Sequence, residues 1–176
     1  ERDVTEVTIY TADHPGLFSK IAGAIALGGG NNLDARIFTM TNGMALDSFS
    51  VQEIGDWARE EGGHAMTDKG KLEALKKHIE KALTGEGHLE KELSARPHTL
   101  PDRARAFSVE PRVLIENSFS KTHTVIEING RDRPGLLFAL TKAMTQLGLQ
   151  ISSAKISTYG ERVVDVFYVK DVFGLK

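Results

Sequence analysis

Hydrophobic and polar positions along the chain follow one order of elements twice. In each copy, a short stretch of alternating apolar and polar residues predicts a half-buried strand, and apolar residues at helical spacing follow it. Two further alternating stretches, joined by a turn, complete each copy. These last strands are expected at about 32–41 and 44–53 in the first copy, and at about 150–159 and 162–170 in the second.

The two copies also match residue by residue. The hexapeptide Asp-His-Pro-Gly-Leu-Phe at 13–18 recurs as Asp-Arg-Pro-Gly-Leu-Leu at 132–137, at an offset of 119 residues. After the second strand the offset falls to 118, because one residue is lost in a turn, where length changes are tolerated best. The order of elements predicts an α+β protein with two ferredoxin-like βαββαβ modules, each an antiparallel sheet with helices on one face.

The modules are expected to be unequal. The first is assigned to 1–116, with an amphipathic helix over 68–84, an irregular polar insert at about 85–109, and a last strand at 112–116. The second, assigned to 117–176, stops after its third strand and lacks a last helix and strand. Three explanations stay open: the chain is cut at this point, the strand at 112–116 is shared, or a partner chain completes the sheet.

Composition narrows the class of protein. The chain has 176 residues, a hydrophobic content of 40% and a net charge of -2, so no basic field indicates a nucleic-acid or membrane partner. No apolar run is long enough to predict a membrane-spanning helix, and no signal peptide is recognised. The absence of cysteine excludes disulfides and thiolate metal sites and fits a cytoplasmic protein. Because it starts with Glu, the chain is expected to be a piece of a longer protein.

The junction between the first strand and the helix is the strongest candidate for chemistry in each copy. A helix start carries unpaired N–H groups and partial positive charge, and glycine lets a ligand approach the backbone. A carboxylate is expected to bind the amides of Gly16 and Leu17, or the equivalent amides in the second copy, while Asp13 or Asp132 binds an ammonium group. An amino acid carries both charges. In the alternative, each aspartate only ties down its own turn.

Two further aspartates, Asp47 and Asp165, share a strand face with apolar residues. Because carboxylates are rarely buried, we expect both to reach solvent near the start of their strands. Arg36 or Lys155 on a neighbouring strand is the alternative partner if the register permits.

Catalytic and metal-site patterns are missing from the sequence. The six histidines are scattered and none has metal-ligand spacing, so no metal or other cofactor is expected in this chain. No nucleophile elbow or other catalytic constellation is found. The sequence therefore predicts a regulatory or interaction module and not an enzyme.

The repeated strand, Asp-x-Pro-Gly-Leu turn and glycine-terminated helix resemble the ACT domain, a small sensor of amino acids with a βαββαβ fold. Longer stretches at 13–26, 34–52 and 160–175 are similar to the C-terminal end of the bifunctional PII uridylyltransferase/uridylyl-removing enzyme family. That family joins a nucleotidyltransferase domain, an HD-type hydrolase domain and two ACT domains. The resemblance implies that this chain senses L-glutamine for an enzyme that acts on the PII signal protein with Mg²⁺ and UTP.

The resemblance also implies where the ligand binds, since ACT domains pair side by side and hold ligands at their interface near the first loop. Two alternatives stay open: an interaction module that forms a homodimer through an open sheet edge, or an amino-acid sensor of another metabolic enzyme. The residues expected to bind glutamine are Asp13, His14, Gly16, Leu17, Phe18, Asn31, Asn32, Asp132, Arg133, Gly135, Leu136, Leu137 and Ile151.

Overall fold

The structure is a computed structural model, and it describes residues 3–53, 63–95, 109–133, 135–159 and 162–176. Within these ranges, no helix has both the length and the apolar character needed to cross a membrane.

The described residues of the first half of the chain form three strands and three helices. The hairpin between its second and third strands turns at Asn42 and Gly43, where Gly43 has a φ of 78° and Asn42 Oδ1 accepts the N–H of Met44. The elements are β1 (Thr5–Ala12), α1 (Leu17–Leu27), β2 (Gly30–Arg36), β3 (Met44–Glu53), α2 (Lys69–Thr84) and α3 (Leu89–Ser94).

The second half repeats the strand, helix and hairpin of the first. A five-residue strand precedes the repeat, and a two-residue strand lies inside its hairpin. The elements are β4 (Arg112–Glu116), β5 (Thr124–Arg131), α4 (Leu136–Gln146), β6 (Gln150–Lys155), β7 (Thr158–Tyr159) and β8 (Arg162–Lys170).

All strands join one antiparallel sheet of eight strands, in the order β1-β3-β2-β6-β8-β5-β4 with β7 on β8. The two modules meet where β2 pairs with β6, for example at Ala35 and Ala154. Above this seam, α1 packs against α4. The α+β class and the ACT-type arrangement of helices on one face of an antiparallel sheet are therefore confirmed.

The amphipathic helix predicted at 68–84 is α2. The carboxylate of Asp68 accepts the N–H of Lys71 at 2.9 Å and caps the start of the helix, and Gly85 ends it in the left-handed conformation. The apolar stripe of α2 buries Leu75 against α1.

The strand expected at 112–116 forms as β4, but it pairs with β5 and not with β1. Ile115 lies opposite Ile126, so β4 completes the sheet half of the second module. The expectation that this segment is the fourth strand of the first module was wrong, because an alternating pattern predicts a strand without indicating its neighbour. Among the described strands β4 pairs with β5 alone, so the modules do not share it. The division into modules at residue 116 stays a prediction.

The insert expected to be irregular at 85–109 contains a helix. Leu89–Ser94 forms α3, which packs on α1 with Leu93 buried. The prediction was wrong for this part, because a six-residue helix that follows a polar stretch leaves too short an apolar pattern to be recognised. The rest of the insert from 96 to 108 lies outside the described residues.

The core lies between the helices and the sheet. Ile21 and Ile25 of α1 and the two aromatic side chains Phe49 and Phe167 are fully buried. The rings of Phe18 and Phe49 lie 5.5 Å apart between centroids. Each module thus buries one phenylalanine of its third strand beneath its first helix.

The glycine at the start of β2 allows a close contact between this strand and α1. A Cβ on Gly30 would lie 2.6 Å from Cγ1 of Val51 and 2.8 Å from Cγ2 of Ile25. We therefore expect Gly30→Ala to lower the free energy of unfolding by about 1–3 kcal/mol, the usual cost of overpacking. Chemical denaturation would measure this. Gly130→Ala is the matched control, because its Cβ would meet nothing within 4 Å, and equal losses in both variants would contradict the prediction.

Candidate functional site

The loop between β1 and α1 is a tight turn that ends at a glycine. Gly16 has a φ of 83° and precedes α1 without a side-chain cap. The N–H of Leu17 donates to the carbonyl of His14 at 3.1 Å. The expectation that the Leu17 amide is free for a ligand was therefore wrong, because the turn itself uses this donor.

Asp13 lies on the exposed rim of the same loop. Its N–H donates to the carbonyl of Gly43 at 3.0 Å, and its Oδ2 accepts the hydroxyl of Thr39 at 2.7 Å. The loop is thus tied to the β2–β3 hairpin.

The second module builds the same loop between β5 and α4. Gly135 has a φ of 74°, and the N–H of Leu136 donates to the carbonyl of Arg133 at 3.0 Å. The Leu136 amide is therefore also used within its turn, against expectation. Burial raises the pKa of Asp132, and the neighbouring amide of Arg133 lowers it in part.

The predicted side chains after these glycines face the protein interior. Leu17 and Phe18 are buried in the core, and Leu136 and Leu137 are half-buried on α4. His14 is half-buried, with Nδ1 lying 3.0 Å from the carbonyl oxygen of Pro15.

Asn31 and Asn32 lie on β2, away from the loop of their own module. The N–H of Ile156 donates to the carbonyl of Leu33 at 3.2 Å, so this part of β2 lies against the second module. Asn32 is buried, and its Oδ1 has no hydrogen-bond partner within the described ranges. The neighbouring Asn31 is half-buried opposite Gln52. Both predicted asparagines thus lie on the strand that pairs with the second module.

Ile151 lies on β6, the strand on the other side of the seam. The N–H of Ile37 donates to the carbonyl of Ser152, the residue after Ile151, at 3.3 Å. A ligand site at the interface of the modules stays a prediction.

Two carboxylates that we expected at the surface are buried. Asp47 on β3 is 1% exposed and lies opposite Ile9, and Asp165 on β8 is 2% exposed and lies opposite Ile128. The expectation was wrong because both side chains follow the alternation of their strands onto the helix-covered face.

Neither proposed cation partner reaches these carboxylates. The side chain of Arg36 is 84% exposed and lies 3.7 Å from Asp34, and Lys155 is exposed. Both oxygens of Asp47 and Oδ1 of Asp165 have no hydrogen-bond partner within the described ranges.

Burial raises the pKa of Asp47 to about 6, and the neighbouring charge of Asp13 adds to the rise. The backbone amide of Phe38, which faces the carboxylate without completing a hydrogen bond, lowers the pKa in part. The carboxylate therefore sits between the β1–α1 loop and the segment that follows β2.

Asp165 has the same surroundings in the second module. Burial raises its pKa to about 7, the amide of Ser157 lowers it in part, and the charge of Asp132 raises it again. The backbone frame is identical, since Leu46 donates to Phe38 and Val164 donates to Ser157, both at 2.8 Å. The repeat thus duplicates a buried acid as well as a loop.

A cleft of about 320 Å³ opens between α3 and α4, beside the second loop. Arg133 stands at this cleft, and Lys142 Nζ lies 2.6 Å from Glu90 Oε2. Of the residues that line the cleft, only Arg133 and Gly135 were predicted as site residues, because α3 has no pattern that could be recognised in the sequence. The lining consists of Glu90, Leu93, Ser94, Arg133, Gly135, Phe138, Ala139, Lys142, Ala143 and Gln146.

The two loops face different neighbours. A Cβ on Gly135 would lie 3.5 Å from Leu93 of α3, whereas a Cβ on Gly16 would lie 3.6 Å from Thr145 of α4. The helix α3 therefore makes the modules unequal. Across the ranges that the structure describes, no three acidic or histidine side chains are grouped to hold a metal ion.

Comparison with known proteins gives one family model and several relatives. Residues 119–176 match the model of the ACR family N-terminal ACT domain. The chain is 57% identical over 176 residues to a protein of Rhodospirillum rubrum and 59% identical over 175 residues to one of Azospirillum brasilense. A protein of Gluconobacter oxydans is 52% identical over 177 residues.

Each of these relatives is named bifunctional uridylyltransferase/uridylyl-removing enzyme. The alignments cover 99–100% of this chain but only 18% of each relative, so the chain spans less than a fifth of their length. No solved structure matches the chain.

Proposed function

Because this chain belongs to the bifunctional uridylyltransferase/uridylyl-removing enzymes as an ACT-domain segment, we propose that it is their sensor of L-glutamine. In this proposal, the parent enzyme modifies and demodifies the PII protein, and the segment adjusts both activities. Mg²⁺ and UTP would bind elsewhere in the parent enzyme.

The observation that carries the proposal is the charged cleft at the second loop. Its volume of about 320 Å³ lies at the small end of ligand pockets, which favours a ligand of amino-acid size. Arg133 offers positive charge, and Lys142 and Glu90 form an ion pair at 2.6 Å whose members offer one charge of each sign. A zwitterion matches such an arrangement.

The backbone at this cleft adds to the match. The α4 helix starts at Gly135 without a side-chain cap, so the partial positive charge of the helix start faces the loop. We assign the ligand's carboxylate to Arg133 and this helix start.

The packing of the modules offers a route for regulation. The helix α1 contacts both α3 and α4, and a Cβ on Gly23 would lie 2.8 Å from the ring of Phe138, which lines the cleft. A ligand at the cleft that favours one packing of α4 against α1 would shift the balance between two arrangements.

Calorimetric titration with L-glutamine tests the proposal, with D-glutamine as the ligand control. We expect Arg133→Ala to weaken binding at least about tenfold, the effect of losing a charged hydrogen bond. Arg112→Ala is the matched variant, because Arg112 is an exposed arginine on β4. The absence of heat and of a thermal shift at millimolar glutamine, with the fold intact, would refute glutamine sensing.

Gly135→Leu is expected to block the cleft while the sheet stays folded. The new side chain would project toward Leu93, and the φ of 74° would cost about 1–2 kcal/mol of stability. Gly85→Leu carries the same backbone strain, at a φ of 76°, but lies at the end of α2 with open space around it. Glutamine titration of both variants should show loss of binding in the first alone; equal affinities would exclude this loop as the site.

A second candidate function is self-association through a sheet edge. Within the described ranges, β1 pairs with β3 alone, so its outer edge offers unpaired backbone groups. Sedimentation at several concentrations tests this, and a strictly monomeric chain that binds glutamine would contradict it.

A further inference from the structure

The buried acids Asp47 and Asp165 have no role in the function proposed above. We call Asp13 with Asp47 the first acid pair, and Asp132 with Asp165 the second acid pair. In each pair, one carboxylate lies in the loop before the helix and the other lies under the helix-covered face of the sheet.

The surroundings stabilise a buried charge only in part, through one backbone amide for each acid. The strand neighbours on that face are apolar, and the charge that acts on each buried acid is another carboxylate. An unpartnered buried carboxylate is costly, because it loses its hydration without gaining hydrogen bonds. A cation placed between the members of a pair would offset the cost in both modules.

The first pair has a third oxygen acceptor close by, since the hydroxyl of Thr39 contacts Asp13 at 2.7 Å. In the described residues, Asn32 on β2 adds a buried Oδ1 without a hydrogen-bond partner, on the strand that pairs with the second module. A primary ammonium donates three hydrogen bonds, whereas Ca²⁺ takes six to eight oxygen ligands, so the donor set fits an ammonium group.

We propose that Asp47 and Asp165 bind the α-ammonium group of the amino acid together with Asp13 and Asp132, so that each module holds one ligand; this rests on the proposed function. Entry of the ammonium requires the loop to lift from the strand. The loop carries the start of the helix with it, so binding at the acid pair moves the helix that packs on the neighbouring module.

Binding is then linked to proton release. The group that faces Asp47 from the loop is Asp13, with His14 beside it, and the group that faces Asp165 is Asp132, with Arg133 beside it. Because burial keeps both inner acids protonated at mildly acid pH, the ligand's ammonium displaces a proton there. Affinity should rise as the pH increases from 5.5 to 8.

The test compares L-glutamine with glutaramate, its analogue without the α-amino group, on the whole chain. We expect Asp47→Asn and Asp165→Asn each to abolish one binding step or weaken it at least about tenfold for L-glutamine, with little change for glutaramate. Asp3→Asn, an exposed aspartate at the other end of β1, is the matched control. Near-ultraviolet circular dichroism checks that each variant is folded.

The outcomes separate the two proposals. Wild-type affinity and an unchanged pH profile in Asp47→Asn and Asp165→Asn would overturn the acid-pair assignment and leave glutamine sensing intact. Binding of a different α-amino acid, lost in the same variants, would refute glutamine and support the acid pairs. No binding of any amino acid to the wild-type chain would overturn both.

Discussion

Raising the pH from 4 to 8 is expected to destabilise the unliganded chain, and Asp165→Asn is expected to remove the largest part of this loss. The folded state raises the pKa of Asp165 from an ordinary 3.8 to about 7, so it holds the proton more tightly than the unfolded state. The proton on Asp165 stabilises the folded state fully below pH 3.8, and this stabilisation is lost as the pH rises through 7. At 1.36 kcal/mol per pH unit, the loss amounts to about 4 kcal/mol.

Urea unfolding of the wild type and of Asp165→Asn at pH 4.5, 6 and 8 would measure this. Comparison with the variant is needed because other carboxylates make the free energy of unfolding rise with pH. One is Glu116, whose pKa is lowered by the amide of Ser118. Asp47→Asn should remove a smaller loss that ends near pH 6, of about 3 kcal/mol. Asp3→Asn should follow the wild type; if Asp165→Asn does so too, the buried acid does not titrate as described.

Much of the fold was predictable because the chain repeats itself. The repeated hexapeptide indicated both helix starts, and the structure places Gly16 and Gly135 at equivalent positions with nearly equal backbone angles. Strand ends were less accurate. The strand expected at 32–41 ends at Arg36, because beyond it only separate contacts join the chain to β3, such as the bond from Leu46 to Phe38 and the bridge between Thr39 and Ala45.

The pairing of β4 could not be read from the sequence. Val113 and Ile115 are more than half exposed, so the strand lacks the strong apolar face that would indicate its place in a sheet. Its partner is β5, the next strand along the chain, joined to it by residues 117–123. Local alternation indicates a strand but not the neighbour with which it pairs.

The loops of the candidate site were predictable from the sequence, but its buried acids and its cleft were not. The alternation of apolar and polar residues placed Asp47 and Asp165 on the apolar face of their strands. We nevertheless expected both side chains to be exposed, because buried carboxylates are rare. Their duplication at equivalent positions was the signal that favoured burial. The cleft depends on Glu90 and Leu93 of α3, for which the polar insert gave no comparable signal.

Phe167→Ala is expected to lower the free energy of unfolding by about 3–5 kcal/mol, the usual cost of removing a buried aromatic ring. Phe167 is fully buried beneath α4 in the second module, and Phe49 holds the equivalent place in the first. Phe49→Ala should cost slightly more, because it also loses the ring contact with Phe18. The exposed Phe173, mutated to alanine, is the control and should change little.

The shape of the unfolding curve matters as much as its midpoint. Because β2 pairs with β6 in one continuous sheet and α1 packs on α4, we expect a single transition that shifts as a whole in Phe167→Ala. Two transitions, with only one shifted, would show that the modules unfold independently. A regulatory segment needs modules that unfold together, because a ligand bound to one module can affect the other only through contacts between the two modules.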